Sequence, residues 1–118
     1  MDSILNTTKK LIGIVPEYEH FDADLVMHIN NVFVILNQMG VGPDIPFFIT
    51  DESTTWSEFT DDPSVLGLVK SYMGKKVKLM FDTSGMQSSV LSALQEQIKE
   101  DEWRLNVACD PKEEIQNE

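Results

Sequence analysis

Residues 21–40 read FDADLVMHINNVFVILNQMG and predict the central helix of the fold. At about 3.6 residues per turn, the apolar residues of this stretch fall on two opposite sides of the helix. Met27 and Val34 lie on the narrower side, and the broad face carries Leu25, Ile29, Val32, Phe33, Leu36 and Met39. A chain of 118 residues forms only a small core. We therefore expect part of this apolar surface to be covered by other copies of the chain or by other proteins.

Length and composition indicate a single soluble globular domain, with 42% hydrophobic and 25% charged residues. The central helix is long enough for a transmembrane span, but Asp24, His28 and Asn30 would be too costly in lipid. The start of the sequence does not resemble a secretory signal, so we expect a cytosolic protein. The single cysteine, Cys109, excludes an internal disulfide and is expected to be a small, partly buried apolar residue.

The net charge of −11 argues against nucleic-acid binding, because phosphate recognition needs clustered Lys and Arg. Solubility alone would explain the acidity. Two functional interpretations also remain open. The charge could form a surface that DNA passes without adhering, or it could mimic DNA and occupy a basic groove on another protein.

The chain is predicted to be mainly α, a small bundle of about four helices. The first helix is expected from Asp2 or Ser3 to Ile12. The second occupies 22–40, with Asp22 as its N-cap and Gly40 at its end. The third begins with Asp62 as cap and Pro63 in the first turn and continues to Phe81 or Asp82. The fourth extends from Met86 or Gln87 to Val107 or Ala108, with an apolar stripe of Val90, Leu91, Leu94, Ile98 and Leu105.

A long irregular stretch separates the second and third helices. Prolines and glycines between residues 41 and 61 exclude a long helix there. Residues 47–49, Phe-Phe-Ile, could form a short strand or a plug of side chains, and we favour an ordered loop. Thr54 or Thr55 can cap a single turn that carries Trp56 and Phe59, which are expected to anchor the loop to the core.

The third helix is basic and the fourth is acidic. Lys70, Lys75, Lys76 and Lys78 lie on the third, whereas residues 100–102 of the fourth are all acidic. This opposition could pair neighbouring antiparallel helices within one chain. It could equally be the way in which adjacent subunits recognise each other.

The C-terminal residues form a second region of the chain. We expect a helical domain over 1–109, followed by an acidic tail over 110–118 that is flexible until something binds it. Ile115 is the only large apolar residue of the tail.

Catalytic and metal-binding patterns are weak. His20, Asp22, Asp24 and His28 could bind a metal, but Asp22 is better explained as a cap and no further ligand completes the set. Ser, Cys and His do not combine into a catalytic triad. We expect no enzyme activity, no cofactor and no metal.

Several short motifs, in their order and spacing, resemble those of head-tail connector proteins of tailed bacteriophages, specifically the adaptor or head-completion members. These motifs are DLVMHIN (24–30), LNQMGVGP (36–43), ITD (49–51), TWSEF (55–59), VKSY (69–72), KVKLMFD (76–82) and EWRLN (102–106). Together they are distributed over most of the chain up to Asp110.

The resemblance implies a structural protein of the virion neck that assembles in the host cytoplasm and binds the portal after DNA packaging. About a dozen copies would form a dodecameric ring, through which DNA passes without specific binding, and would present a docking surface to a stopper or tail component. The resemblance also implies that terminal segments grip the portal, which suits the tail.

We predict that the third and fourth helices supply much of the subunit or portal contact. The candidate interface residues are Lys75, Lys76, Lys78, Glu100, Trp103, Arg104, Asp110, Pro111 and Ile115. Trp103 and Arg104 could anchor an interface or could equally pack within one subunit. The alternative function, from a different class, is an acidic inhibitor or DNA mimic that blocks a basic partner.

Overall fold

The computed structural model describes residues 3–81 and 84–109 and confirms a mainly helical fold. Five helices occur in these ranges: α1 (Ile4–Leu11), α2 (Asp22–Gln38), α3 (Trp56–Phe59), α4 (Pro63–Phe81) and α5 (Ser88–Cys109). The four long helices match the predicted ones to within about two residues at each end, apart from the first residues of the chain, which lie outside the description. Within those same ranges there is no β-strand, and no helix is long and apolar enough to cross a bilayer.

Side-chain caps are present at the starts of α1 and α4, and the cap of α4 is the one that the sequence predicted. Ser3 caps α1, because its hydroxyl accepts a hydrogen bond from the Asn6 backbone N–H at 3.2 Å. Asp62 precedes α4, where its carboxylate accepts from the backbone N–H of Ser64 at 3.1 Å and from the Ser64 hydroxyl at 2.8 Å. These two hydrogen bonds hold the pKa of the Asp62 carboxyl below its ordinary value.

The predicted cap of α2 was wrong. Phe21 occupies the N-cap position without a side-chain hydrogen bond, and Asp22 is the first residue of the helix. The Asp22 carboxylate instead binds the ammonium group of Lys9, with Nζ and Oδ1 2.7 Å apart. Lys9 is fully buried and also donates to the Pro16 carbonyl at 2.7 Å. Asp22 therefore neutralises a buried charge that lies between α1 and the following loop.

The core lies between α2 and α4. The broad face of α2 is buried as predicted, through Leu25, Ile29, Val32, Phe33 and Leu36. The facing residues of α4 are Val69, Tyr72, Met73 and Val77. The central helix of the described fold is α4 and not α2 as predicted, because α4 packs against α1, α2 and α5. On the other side of α2, Met27 is 55% exposed and Val34 is 37% exposed, so one copy of the chain leaves this second face largely uncovered.

The segment between α2 and α3 is an ordered loop, and the strand considered for residues 47–49 does not form. The Asn30 side chain takes the place of a partner strand. Its Oδ1 accepts from the Ile49 N–H at 2.8 Å, and its Nδ2 donates to the Ile49 carbonyl at 3.0 Å. Trp56 and Phe59 are buried, which confirms that they anchor the loop.

Gly42 allows this loop to pass close to the core. Its φ angle is +89°, a region that favours glycine, and a Cβ atom there would lie 2.5 Å from the Phe59 ring. No other residue fits without moving Phe59. The loop is therefore fixed at Gly42 as well as at Asn30.

Candidate functional site

The opposite charges of α4 and α5 meet within one chain. Lys75 pairs with Asp101, with Nζ and Oδ2 3.0 Å apart. The Ser71 hydroxyl donates to the same carboxylate at 3.3 Å. Asp101 is 4% exposed and is therefore part of the packing between α4 and α5. The intrachain pairing that the sequence left open is thus present.

A second contact of the same kind lies beside the first. The Tyr72 hydroxyl donates to the Glu102 carboxylate at 2.8 Å, and the Lys76 ammonium is 3.9 Å from it. Burial of the Tyr72 phenol, followed by its hydrogen bond to Glu102 and the charges of Glu102 and Asp101, raises the pKa of Tyr72 well above its ordinary value. Tyr72 therefore stays neutral and remains a donor throughout the physiological range.

Replacing Tyr72 by Phe is expected to destabilise the fold by about 1.5 kcal/mol at neutral pH, because a hydrogen bond to a charged acceptor is lost. The folded-state pKa of Tyr72 lies above its unfolded value, so this residue stabilises the fold below pH 10.0 and loses that contribution as the pH rises further. Urea unfolding at neutral pH and above pH 10 should show a smaller alkaline loss for Tyr72→Phe than for the unmodified chain. Tyr18→Phe is the matched control, because Tyr18 is 49% exposed. Equal effects of the two substitutions would contradict the role of the buried hydroxyl.

The structure divides those predicted interface residues that it describes into three groups. Lys75 and Lys76 are engaged by Asp101 and Glu102 of the same chain. Arg104 forms an exposed pair with Glu100, with Nη2 and Oε2 3.3 Å apart. Lys78 and Trp103 remain available at the surface: no described carboxylate pairs with Lys78, and Trp103 is 65% exposed. Asp110, Pro111 and Ile115 lie outside the described residues.

α5 lies at the edge of the bundle. In the described part of the chain it packs extensively on α4 alone, and its buried residues are Ile98, Asp101 and Leu105. Val90, expected in the apolar stripe, is 52% exposed and lies close to Ser88, the first residue of α5, whereas the outer side of the helix carries a different set of residues. Glu96, Glu100, Trp103 and Val107 form one stripe on this outer side, which we call the Trp103 face.

A groove between α1, α4 and α5 is the second surface feature, which we call the lysine groove. It has a cavity volume of about 380 Å³ and is lined by Thr7, Leu11, Lys70, Ser71, Gly74, Lys75, Lys78 and Leu94. A Cβ atom on Gly74 would lie 3.0 Å from Leu11, so glycine brings α1 close to α4 at this place. The sequence did not predict the groove, because its walls come from three separate helices. The glycine within the basic helix is the feature of the sequence that could have indicated the groove.

The residues that were considered as metal ligands, and not favoured, have other contacts in the structure. Asp22 binds Lys9, and the His28 ring packs near Phe81, with ring centroids 6.3 Å apart. Within residues 3–81 and 84–109, no three His, Cys, Asp or Glu side chains are arranged to hold a metal ion. Cys109 is partly buried as expected, and burial together with the negative charge of Asp62 raises the pKa of its thiol.

Comparison with known proteins identifies the family. The family model described as phage connector protein matches residues 4–112, which is nearly the whole chain. No curated protein and no solved structure matches the sequence. The family has a structural role in head-tail connection at the virion neck and interacts there with other head or tail components. This chain, an all-helical protein with an uncovered edge helix, belongs to the phage connector family.

Proposed function

We propose that the chain is the adaptor of the phage neck, which forms a ring on the portal, extends the DNA channel and provides the docking surface for the next neck or tail component. The proposal is carried by the apolar surface that one copy leaves uncovered. Met27 on α2 and Trp103 on α5 are both more than half exposed. Side chains of this size on rigid helices are typical of protein interfaces.

The charge of the chain suits a channel wall. With a net charge of −11, a ring of many copies would repel the DNA phosphates. Repulsion keeps the DNA from adhering while it passes, and no sequence readout is needed.

Electron microscopy of the purified portal mixed with this chain tests the proposal directly. We expect added density in the form of a ring of about a dozen copies beneath the portal. The portal alone is the control. Portal particles that carry no added ring at saturating concentrations of the folded chain would contradict the adaptor function.

The C-terminal tail is proposed to contribute to portal binding. Deleting residues 111–118 should weaken binding to the portal at least about tenfold, because an apolar anchor and its neighbouring charges are removed. The thermal unfolding midpoint should stay nearly unchanged, because the last core residue of the described fold is Leu105. Ile115→Ser in the full chain separates the anchor from the charges. Undiminished binding of the truncated chain, measured by surface plasmon resonance, would remove the tail from the interface.

The acidic-inhibitor alternative has less support. A DNA mimic needs exposed carboxylates spaced like phosphates, whereas Asp22, Asp101 and Glu102 here pair with lysines of the same chain. Affinity purification discriminates between the two functions. Recovery of the portal supports the adaptor, and recovery of a nuclease or polymerase without the portal supports the mimic.

A further inference from the structure

We infer that Trp103 of one copy inserts into the lysine groove of the next copy, and that this contact joins neighbouring subunits. The inference rests on the proposed ring, because a ring requires each copy to present two different and complementary surfaces. The Trp103 face and the lysine groove are two such surfaces. In a single copy, each of these surfaces leaves a large apolar side chain exposed, Trp103 on the first and Leu11 on the second.

The Trp103 face presents an aromatic side chain with acidic residues on one side and an apolar residue on the other, and Lys99 also lies beside the indole. Trp103 is 65% exposed, and Val107 on the next turn is 45% exposed. Glu96 and Glu100 extend the stripe in the other direction and are both exposed. A tryptophan held on a rigid helix loses little conformational entropy on binding, so it can supply a large share of the binding energy.

The lysine groove has the opposite character. Its floor is apolar, formed by Leu11, Gly74 and Leu94, and its edge carries lysines. The cavity of about 380 Å³ has room for one large aromatic side chain. Leu11 is 51% exposed beside this space, so an inserted indole would cover apolar surface that is now in contact with water.

The charges at the edges of the two surfaces are complementary. Lys78 borders the groove, and no described carboxylate neutralises it. Glu100 borders Trp103 and, within the described residues, pairs with Arg104 on its own helix, an exposed contact that contributes little to stability. When Trp103 enters the groove, Glu100 can approach Lys78 of the neighbouring copy. Complementary charges of this kind set the orientation and the rate of association.

The two surfaces also point in different directions. Leu94 lines the groove, and Trp103 follows it by about two and a half helical turns, so the two side chains project from opposite sides of α5. A contact between them cannot be reciprocal within one pair of copies. Two copies joined by this contact keep one unoccupied surface at each end of the pair, and repetition of the contact gives a ring or an open filament.

Photo-crosslinking tests the contact at the level of residues. Trp103 is replaced by the aromatic crosslinker benzoylphenylalanine, and ¹⁴N- and ¹⁵N-labelled copies are mixed at high concentration, both alone and on the portal. We expect crosslinks of mixed isotope composition to Leu11, Gly74 or Leu94. Mixed crosslinks that map only to another surface, crosslinks within single copies only, or crosslinks to the chain's own C-terminal residues would overturn the inference.

Charge reversal supplies an independent test. Lys78→Glu and Glu100→Lys should each lower ring occupancy on the portal at least about tenfold, and the combination of both should recover most of it. Trp103→Ala should lower occupancy at least as much while the unfolding midpoint stays unchanged. Lys10→Glu and Asp44→Lys are the matched controls, because both residues are exposed and neither lines the groove.

The outcomes separate this inference from the adaptor proposal. Rings that still form on the portal with all three variants would overturn the inferred contact and leave the adaptor function intact. If the unmodified chain forms no ring on the portal, the adaptor function fails. The mixed-isotope crosslinks between concentrated free copies would then still decide whether the contact exists.

Discussion

Replacing Asp22 by Asn is expected to lower the free energy of unfolding by about 3 kcal/mol, since it leaves a buried ammonium group without its counter-charge. Lys9 is 0% exposed, and its Nζ has two described partners, the Asp22 carboxylate and the Pro16 carbonyl, each at 2.7 Å. Asn keeps the size and one acceptor of Asp22 but removes the charge. Urea unfolding followed by circular dichroism at 222 nm measures the effect.

A comparison with Lys9 identifies the cause. Lys9→Met fills the same space with an apolar side chain and leaves Asp22, whose side chain is 28% exposed, accessible to water. We expect this substitution to cost less than Asp22→Asn, and the double variant to be close to Lys9→Met alone. A larger loss for Lys9→Met than for Asp22→Asn would show that the packing of the lysine stem, and not the buried charge, stabilises this part of the fold.

The wrong prediction at Asp22 shows that a sequence pattern does not reveal contacts between residues that are distant along the chain. An aspartate before an apolar helix predicts an N-cap, which is a local interaction and usually a correct inference. Asp62 satisfied the same pattern and does cap α4. At Asp22 a residue thirteen positions away competes for the carboxylate, and Lys9 is too far along the chain for any local pattern to link the two.

The helices and the loop could be predicted because their determinants are local. Apolar spacing gave the four long helices, and the position of prolines and glycines gave the loop between α2 and α3. The single turn that carries Trp56 was predicted from its capping pattern, and the Thr55 N–H donates to Glu58 at 3.0 Å as that pattern requires.

The candidate site could be predicted only in part. The sequence alone predicted Lys75, Lys76 and Lys78 together as interface residues, because it shows three lysines on one helix and no difference between their surroundings. The packing of α5 on α4 separates them, since it engages Lys75 and Lys76 and leaves Lys78 at the edge of a groove. Charge reversal at Lys75 or Lys76 would disturb the fold itself, which makes Lys78 the sharper probe of assembly.

The exposed second side of α2 could be predicted from the sequence, whereas the partner that covers it could not. The sequence indicated that Met27 and Val34 could not share a core with Leu25 and its neighbours, and both are substantially exposed. Helical periodicity alone sufficed for this inference. The identity of the covering partner depends on surfaces of other molecules, about which the periodicity of this chain carries no information.

Replacing Asn30 by Ala is expected to destabilise the fold by about 2 to 3 kcal/mol and to loosen the loop between α2 and α3. The Asn30 side chain satisfies both backbone groups of Ile49, and the Ile49 side chain is 2% exposed. Truncation leaves a donor and an acceptor without their partner in a partly buried position, where water replaces them poorly. The loop amides should also lose protection against hydrogen exchange.

Asn30→Asp separates the two hydrogen bonds. The carboxylate can still accept from the Ile49 N–H, but it cannot donate to the Ile49 carbonyl and places negative charge beside it. We therefore expect Asn30→Asp to be destabilising to a similar extent, although its size is unchanged. Asn31→Ala is the matched control, because Asn31 is the next residue of α2 and is exposed. If Asn30→Ala cost no more than Asn31→Ala, and loop exchange stayed slow, the contacts of Phe47, Trp56 and Phe59 with the core would be sufficient to hold the loop without Asn30.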